Sequence, residues 1–290
     1  MIVANTSSTP SSNNSRVWFI TGCSSGFGRA LVEAALARGY KVVATARKLD
    51  KIKDFEQQYP DTALAIALDV TQPDEVHEAV NKALSKFESI DVLVNNAGFG
   101  MIGAVEEVPD AEARRLFDTN VFGLLSVTRA VLPMMRERHK GHIINISSVG
   151  GFVSVVGSGM YCASKFAVEG LSEALAQEVA PMNIHVTIVE PGPFRTNFAG
   201  DSIAKVPPMD AYAETVGKRR EQVEQIDGKQ PGDPVRAAEA MLQVVESANP
   251  PLRLALGKAA VEGIRHKLHS VAEELDTWEK TSLSADFPEG

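Results

Sequence analysis

A four-residue apolar run, Val17-Trp18-Phe19-Ile20, stops at Thr21-Gly22-Cys23-Ser24-Ser25-Gly26-Phe27-Gly28, and Ala30, Leu31, Ala34, Ala35 and Leu36 then recur at helical spacing up to Gly39. No other feature restricts the chain so tightly. A strand that passes through a glycine-rich turn straight into a helix is the opening unit of a parallel α/β sheet. Glycines at that turn let the backbone approach a pyrophosphate, and the helix N-terminus offers free N–H groups and the positive end of its dipole. The plainer alternative is a tight turn with no ligand. The position directly after the first strand favours the phosphate cradle, made of Gly22, Ser24, Ser25, Gly26, Phe27 and Gly28.

The alternation continues down the chain. Segments 41–46, 63–68, 91–94, 142–146, 185–189 and 252–256 read as strands, and 73–87, 112–138, 159–180, 235–246 and 259–278 as helices. The strands are short and almost continuously apolar, as strands covered on both faces of a parallel sheet are. About seven strands in strict alternation predict the α/β class, as a single Rossmann-type doubly wound parallel sheet flanked by helices, in one domain over 16–290. Residues 1–15 are rich in Ser, Thr and Asn, lack the basic start and apolar middle of a signal peptide, and are expected to be a disordered tail. Segment 194–230 is polar, contains Pro207-Pro208 and reads as a substrate lid. Segment 258–290 reads as a helical C-terminal extension.

Composition removes several function classes. A formal net charge of −8 over 290 residues argues against broad nucleic-acid binding, while leaving room for a local basic pocket. Cys23 and Cys162 make neither a disulfide framework nor a zinc site, and the six histidines do not cluster with acids, so no metal is expected. No apolar stretch approaches ~18 residues, so no membrane span is expected and the chain reads as cytoplasmic.

Cofactor choice is read at the end of the second strand, where a carboxylate bonds a ribose hydroxyl and an arginine accommodates a 2′-phosphate. Lys41 to Lys48 contains no acid and carries Arg47, which favours NADP(H) over NAD(H). A solvated Arg47-Lys48 pair is the plainer alternative. Further along, Asn95-Asn96-Ala97-Gly98 ends one strand, Ser148 follows another, and Tyr161 and Lys165 stand four apart on one helix face. A lysine ammonium near a phenol favours phenolate and brings the tyrosine into range for proton transfer.

These motifs, in this order, resemble the short-chain dehydrogenase/reductase family over residues 16–257. The resemblance implies hydride transfer between nicotinamide C4 and a ketone, aldehyde or secondary alcohol. It gives Tyr161 the role of general acid/base, Lys165 that of its electrostatic partner and ribose ligand, and Ser148 that of substrate-oxygen donor, with Ser147 the near rival. Asn120 is implied to hold a proton-relay water; a helix kink is the alternative. Asp69 and Val70 match the pair that contacts adenine, although Asp69 also suits a helix N-cap. Asn96, Ala97 and Gly98 match the stretch that borders the cofactor, and Pro191, Gly192 and Thr196 the one that meets the nicotinamide carboxamide.

Ligands of such sheets bind outside the carboxyl ends of the strands. Phe99, Val149, Phe152, Val155 and Phe194 follow strand ends, and Phe198, Met209 and Tyr212 lie in the lid. This set has no cationic clamp, which points to an uncharged or weakly polar carbonyl substrate. The resemblance implies pairing through the long helices as a homodimer or homotetramer, and the apolar spacing of Val261, Ile264, Leu268, Val271, Leu275 and Trp278 offers a packing face that caps the substrate side or covers an assembly surface. The alternative is a catalytically silent NADP(H)-binding sensor or scaffold.

Overall fold

The computed structural model describes residues 16–287 apart from Ala199 and Asp201; the tail expected over 1–15 lies outside the described residues. In chain order the elements are β1 (Val17–Ile20), α1 (Gly26–Ala37), β2 (Lys41–Ala46), α2 (Asp54–Gln58), β3 (Ala63–Ala67), α3 (Pro73–Phe87), β4 (Val92–Asn95), β5 (Gly100–Ile102), α4 (Asp110–Phe117), α5 (Leu124–Arg138), β6 (Gly141–Ile146), α6 (Gly159–Val179), β7 (Ile184–Pro191), β8 (Ile203–Lys205), α7 (Lys218–Ile226), α8 (Pro234–Glu246), β9 (Arg253–Leu256) and α9 (Lys258–Leu283). Seven strands form one parallel sheet in the order β3-β2-β1-β4-β6-β7-β9.

Period-two alternation divides the core. Trp18 and Ile20 face one side of the sheet with Val42 and Ala44, where Leu31, Ala35 and Leu36 of α1 and Met241 and Leu242 of α8 cover them. Val17 and Phe19 face the other side with Val43, under Val76 and Val80 of α3 and Val127 and Val131 of α5. Each strand is therefore apolar on both faces, which is why the runs lack the alternation of a half-exposed strand. The chain builds outward from β1 to β3, then returns to place β4 on the other side of β1. Neighbouring connections leave in opposite directions at that reversal, and a crevice opens at the carboxyl ends of β1 and β4.

Polar side chains below the crevice join the two halves. Asn95 Nδ2 donates to Thr128 Oγ1 and to Asn145 Oδ1, both at 2.9 Å; Asn145 Nδ2 donates to Ser172 Oγ at 2.8 Å, and Ser172 Oγ to the Val168 carbonyl at 2.6 Å. This chain of buried bonds ties β4 and β6 to α5 and α6.

The structure departs from the pattern reading in four places. The stretch expected as one helix over 112–138 is α4 and α5 joined by a π-helical turn at Asp118–Gly123. Short helical segments at Leu49–Lys51 and α2 lie between β2 and β3. Segment 194–230 carries regular structure of its own: β8 pairs with β5 in a second parallel sheet, and α7 follows. Glu107 anchors it, accepting from the Ala104 and Met209 N–H groups, both at 2.7 Å, and pairing with Arg220 at 2.8 Å. Burial pushes the Glu107 carboxyl up, and those bonds more than cancel the effect, leaving it below its ordinary range. Finally, α9 runs on to Leu283.

Replacing Asn145 with alanine leaves the Asn95 amide with one partner fewer and Ser172 with none from β6. The expected result is a loss of about 1–3 kcal/mol, seen as a lower denaturation midpoint at unchanged slope. An unchanged midpoint would show that the buried chain of bonds contributes nothing.

Candidate active site

A cleft of about 760 Å³ opens above the carboxyl ends of the strands, at the reversal between β1 and β4. One half is lined by the glycine turn and the ends of β2 to β4, the other by the ends of β5 and β6, the start of α6 and the lid.

The glycine turn is clamped rather than loose. Asn96 Nδ2 donates to the Thr21 carbonyl at 2.8 Å and the Gly22 carbonyl at 3.0 Å, while Thr21 Oγ1 accepts from the Asn96 and Ala97 N–H groups, both at 3.0 Å. Gly22 has φ +72°, a left-handed conformation that a side chain rarely adopts. A Cβ on Gly28 would lie 2.4 Å from the Gly22 carbonyl oxygen and 2.6 Å from Asn96 Nδ2, so the turn folds back on the helix only with glycine there. No acid occupies the first turn of α1 and no side chain caps it at Ser25. Ser24, Ser25, Gly26 and Phe27 line the cleft, and Thr196 lies across from Gly26, 3.3 Å from where its Cβ would be.

Arg47 stands exposed at the end of β2 on the cleft wall, and makes no ion pair among the described residues. Arg29, the neighbouring cation, is engaged by Asp54 and Glu33 at 2.5 and 3.0 Å. Asp69 Oδ1 accepts from Thr71 N at 3.0 Å and Thr71 Oγ1 at 2.8 Å, so its carboxylate shapes the turn before α3 while the residue borders the cleft with Val70. Ala97, Gly98, Pro191 and Gly192 also border it. The glycine turn, the acid-free helix start and a free arginine are what a phosphorylated dinucleotide requires, so the residues present fit such a group.

Tyr161, Ser148 and Lys165 meet where the two halves join. Ser148 Oγ and Tyr161 Cε1 lie 3.3 and 3.4 Å from the position a Cβ on Gly150 would take, which places the hydroxyl against the phenol ring. The Ser148 hydroxyl also accepts from Gly150 N at 3.0 Å. Ser147 points the other way, towards Glu169 on α6. Burial pushes the Tyr161 phenol up to about 12, partly offset by the Ser148 hydroxyl. Lys165 lies one turn on, its Nζ donating to the Ile146 carbonyl at 2.8 Å and standing 5.9 Å from the Tyr161 ring centre. Burial pulls this ammonium down to about 8, against a smaller upward pull from Glu169.

Asn120 lies beneath the cleft in the π-helical turn rather than on its wall. Its Nδ2 donates to the Phe99 carbonyl at 3.0 Å and to Ser164 Oγ at 3.1 Å, and its Oδ1 accepts from Phe99 N at 3.1 Å. The carboxamide thus behaves as a short piece of strand that fixes β5's approach to α6. Cys23 and Cys162 are buried, and burial raises both thiols, Cys23 to about 12.

Five of the expected substrate-side aromatic and aliphatic residues border the cleft: Phe99, Val149, Val155, Phe194 and Phe198. Phe198 packs against Tyr161 with the rings tilted and their centres 5.5 Å apart, whereas Phe194 packs edge-on to Phe27 at 5.0 Å, beside the glycine turn. Phe152 is brought elsewhere: the helical turn at Val149–Gly151 swings its ring under the Arg253 guanidinium, 5.9 Å away. Met209 and Tyr212 also stand off, Tyr212 bonding Glu106 at 2.6 Å. Strand-end reasoning missed Met101, Ile102 and Ile203 of the second sheet and Val223 of α7, which form the apolar end. It also missed two cations, which corrects the expectation of a lining without them. Arg115 is paired with Glu112 and lies over Phe99, but Arg219 has a buried Nε with no partner.

The fold has known counterparts. The family model for short chain dehydrogenase matches residues 16–206. A short-chain dehydrogenase from Streptomyces avermitilis, solved as a crystal structure, is 48% identical with a TM-score of 0.89 over 94% of this chain and 100% of that chain. An oxidoreductase of Botryotinia fuckeliana is 37% identical over 93% of this chain and 99% of its own length, and retinol dehydrogenase 8 of Homo sapiens is 39% identical over 82% and 80% respectively. With a family model matched over residues 16–206 and relatives 37–48% identical covered over 80–100% of their own length, the chain belongs to the short chain dehydrogenase family.

Proposed function

We propose that the chain is an NADP(H)-dependent carbonyl reductase or alcohol dehydrogenase, acting on a ketone, an aldehyde or a secondary alcohol. One observation carries this reading: a hydroxyl, a phenol and a buried ammonium converge where the phosphate-type half of the cleft meets its apolar half. A nicotinamide dinucleotide bound in the first half supplies or takes the hydride.

The residues do the rest. Ser148 donates a hydrogen bond to the carbonyl oxygen and holds it against Tyr161. As negative charge grows on that oxygen, the Tyr161 phenol gives up its proton to it. Lys165, held charged below about 8 and without a carboxylate partner in ion-pair reach among the described residues, stabilises the phenolate left behind. Asn120 has its carboxamide fully engaged, so its part in proton relay falls to its backbone carbonyl. Arg47 meets a 2′-phosphate, and Asp69 and Val70 the adenine. The apolar end under Phe198, Ile203 and Val223 takes the body of the substrate. No observation favours a silent binding protein, because hydroxyl, phenol and ammonium are all in place.

Absorbance at the reduced-nicotinamide band, followed with a panel of aldehydes, ketones and secondary alcohols, tests the reading. Turnover is expected, and Tyr161→Phe lowers it by about a hundred- to ten-thousand-fold with cofactor binding retained. A Tyr161→Phe enzyme of undiminished rate would remove the assigned acid, and no turnover of any carbonyl or alcohol offered would overturn the reaction class.

Arg47→Ala is expected to raise KM for NADPH about tenfold and leave NADH within about twofold. Equal effects on both cofactors would place Arg47 away from any 2′-phosphate.

The pH dependence follows from Lys165. The phenol, pushed up to about 12, stays protonated through the neutral range, while the ammonium loses its charge as pH rises through about 8. Carbonyl reduction should therefore be full below that pH and decline above it. A flat rate across this region would contradict the lysine's role.

A further inference from the structure

Helix α7 turns a cation into the cleft and leaves it without a partner. Val216, Arg219, Val223 and Ile226 follow one another at helical steps of three and four. Val216 and Val223 are buried, Arg219 is half-buried, and Arg219, Val223 and Ile226 line the cleft. A guanidinium in an apolar row of this kind is unfavourable unless something bonds it. The cations around it are all engaged: Lys218 with Glu214 at 2.6 Å, Arg220 with Glu107 at 2.8 Å and Lys205 with Glu224 at 2.8 Å. Arg219 differs. Its Nε is buried with no hydrogen-bond partner, and no carboxylate comes within ion-pair reach of it among the described residues.

This guanidinium stands on the substrate side, beyond the reacting centre. The Arg219 stem crosses Gly157, its Cγ 3.6 Å from where a Cβ on that glycine would lie. Burial raises the Cys162 thiol and the Arg219 charge pulls against it, so the guanidinium is within electrostatic reach of the residue next to Tyr161. Cys162 Sγ in turn lies 3.4 Å from the point that Ser148 Oγ and Tyr161 Cε1 approach at 3.3 and 3.4 Å. The phenol itself responds to burial, Ser148 and Cys162, and not to Arg219. The other cation on this wall, Arg115, is held by Glu112 at 2.7 Å and covers Phe99. The substrate half of the cleft is otherwise apolar where Met101, Ile102 and Ile203 line it.

Resting on the carbonyl-reducing reading of this cleft, we propose that Arg219 receives a carboxylate carried by the substrate away from its reacting carbon. The preferred substrate is then an oxo acid, or the matching hydroxy acid, with an apolar body between the two groups. The planar fork of a guanidinium matches the two oxygens of a carboxylate, and one positive charge balances one negative charge. A phosphate carries nearly two charges and calls for a second cation, and Arg115 is already engaged. An acid whose carboxylate adjoins its carbonyl does not fit, because it would require the guanidinium close enough to act on the phenol. Bound in this way, the carboxylate fixes which end of the substrate faces Ser148 and Tyr161, and the half-buried guanidinium gains the partner that the fold withholds. Arg219 thus determines specificity and takes no part in the proton transfer.

Methyl ketones that end in a carboxylate across alkyl chains of graded length, with their methyl esters, test the assignment. Turnover with NADPH and calorimetric binding to the enzyme loaded with NADP+ are read side by side. The wild type is expected to favour the best acid over its ester about ten- to a hundredfold in kcat/KM. Arg219→Met keeps the stem and removes the charge, and should bring that ratio to about one, mainly through KM for the acid. Arg219→Glu should reverse it, so that the amine-terminated ketone of the same length replaces the acid as the better substrate. An ester used as well as the acid by the wild type, an equal loss on acid and ester in Arg219→Met, or neither binding nor turnover of any acid would overturn the proposal. The reaction is judged apart from it. Acids that bind through Arg219 and are never reduced would leave the guanidinium's role standing and strike the carbonyl-reducing reading, whereas ketones reduced with no preference for the acid would do the opposite.

Discussion

Asn96 holds the two sides of the cleft together. It sits just past β4, yet its carboxamide satisfies the Thr21 and Gly22 carbonyls at the end of β1, and the Thr21 hydroxyl returns the contact to the Asn96 and Ala97 N–H groups. Backbone groups turned away from a strand ladder need such partners when they are withdrawn from water. The turn can then pass close above α1, which only glycine at position 28 allows. The glycine-turn half of the cleft is therefore a by-product of joining the two strands that flank the reversal in strand order. The sheet supplies the place, and the side chain just past β4 supplies its shape.

The other half depends on desolvation. Lys165 is almost completely withdrawn from water and bonds a strand carbonyl instead of a carboxylate. An ammonium in that setting is readily discharged, but its field is also poorly screened, so it acts strongly on the phenol one turn away. Asn120 and Ser164 keep α6 at the right height for this. Asn120 pairs with the Phe99 backbone on one side, and its Nδ2 reaches the Ser164 hydroxyl, which in turn donates to the Tyr161 carbonyl at 2.7 Å. The π-helical turn that carries Asn120 departs from regular helical pairing at the point where this carboxamide joins the Phe99 backbone to α6.

Much of this was legible in the residues. Strand-like apolar runs separated by helical periodicity led to the parallel sheet, because strands buried on both faces leave that signature. The glycine turn, Asn96 and the Tyr161–Lys165 spacing pointed to the residues that the fold brings together. The illegible parts rest on contacts distant in sequence. Gly100–Ile102 and Ile203–Lys205 pair as strands of three residues each, too short for any period to show. Phe152 and Phe99 both follow strand ends, but a single helical turn rotates Phe152 towards Arg253. Arg219 reaches the cleft from a lid helix whose polar sequence carries no sign of which face turns inward.

The most direct measurement of the central claim follows the hydrogen itself. NADPH carrying deuterium at the transferable C4 position is incubated with the protein and an apolar ketone, and the alcohol formed is examined by mass spectrometry and NMR. Hydride transfer in this cleft predicts one deuterium on the carbinol carbon of the product, in a single configuration set by Ser148 and Tyr161. Alcohol formed without the label, or no alcohol from any carbonyl offered, would contradict the assignment of this cleft as a carbonyl-reducing active site.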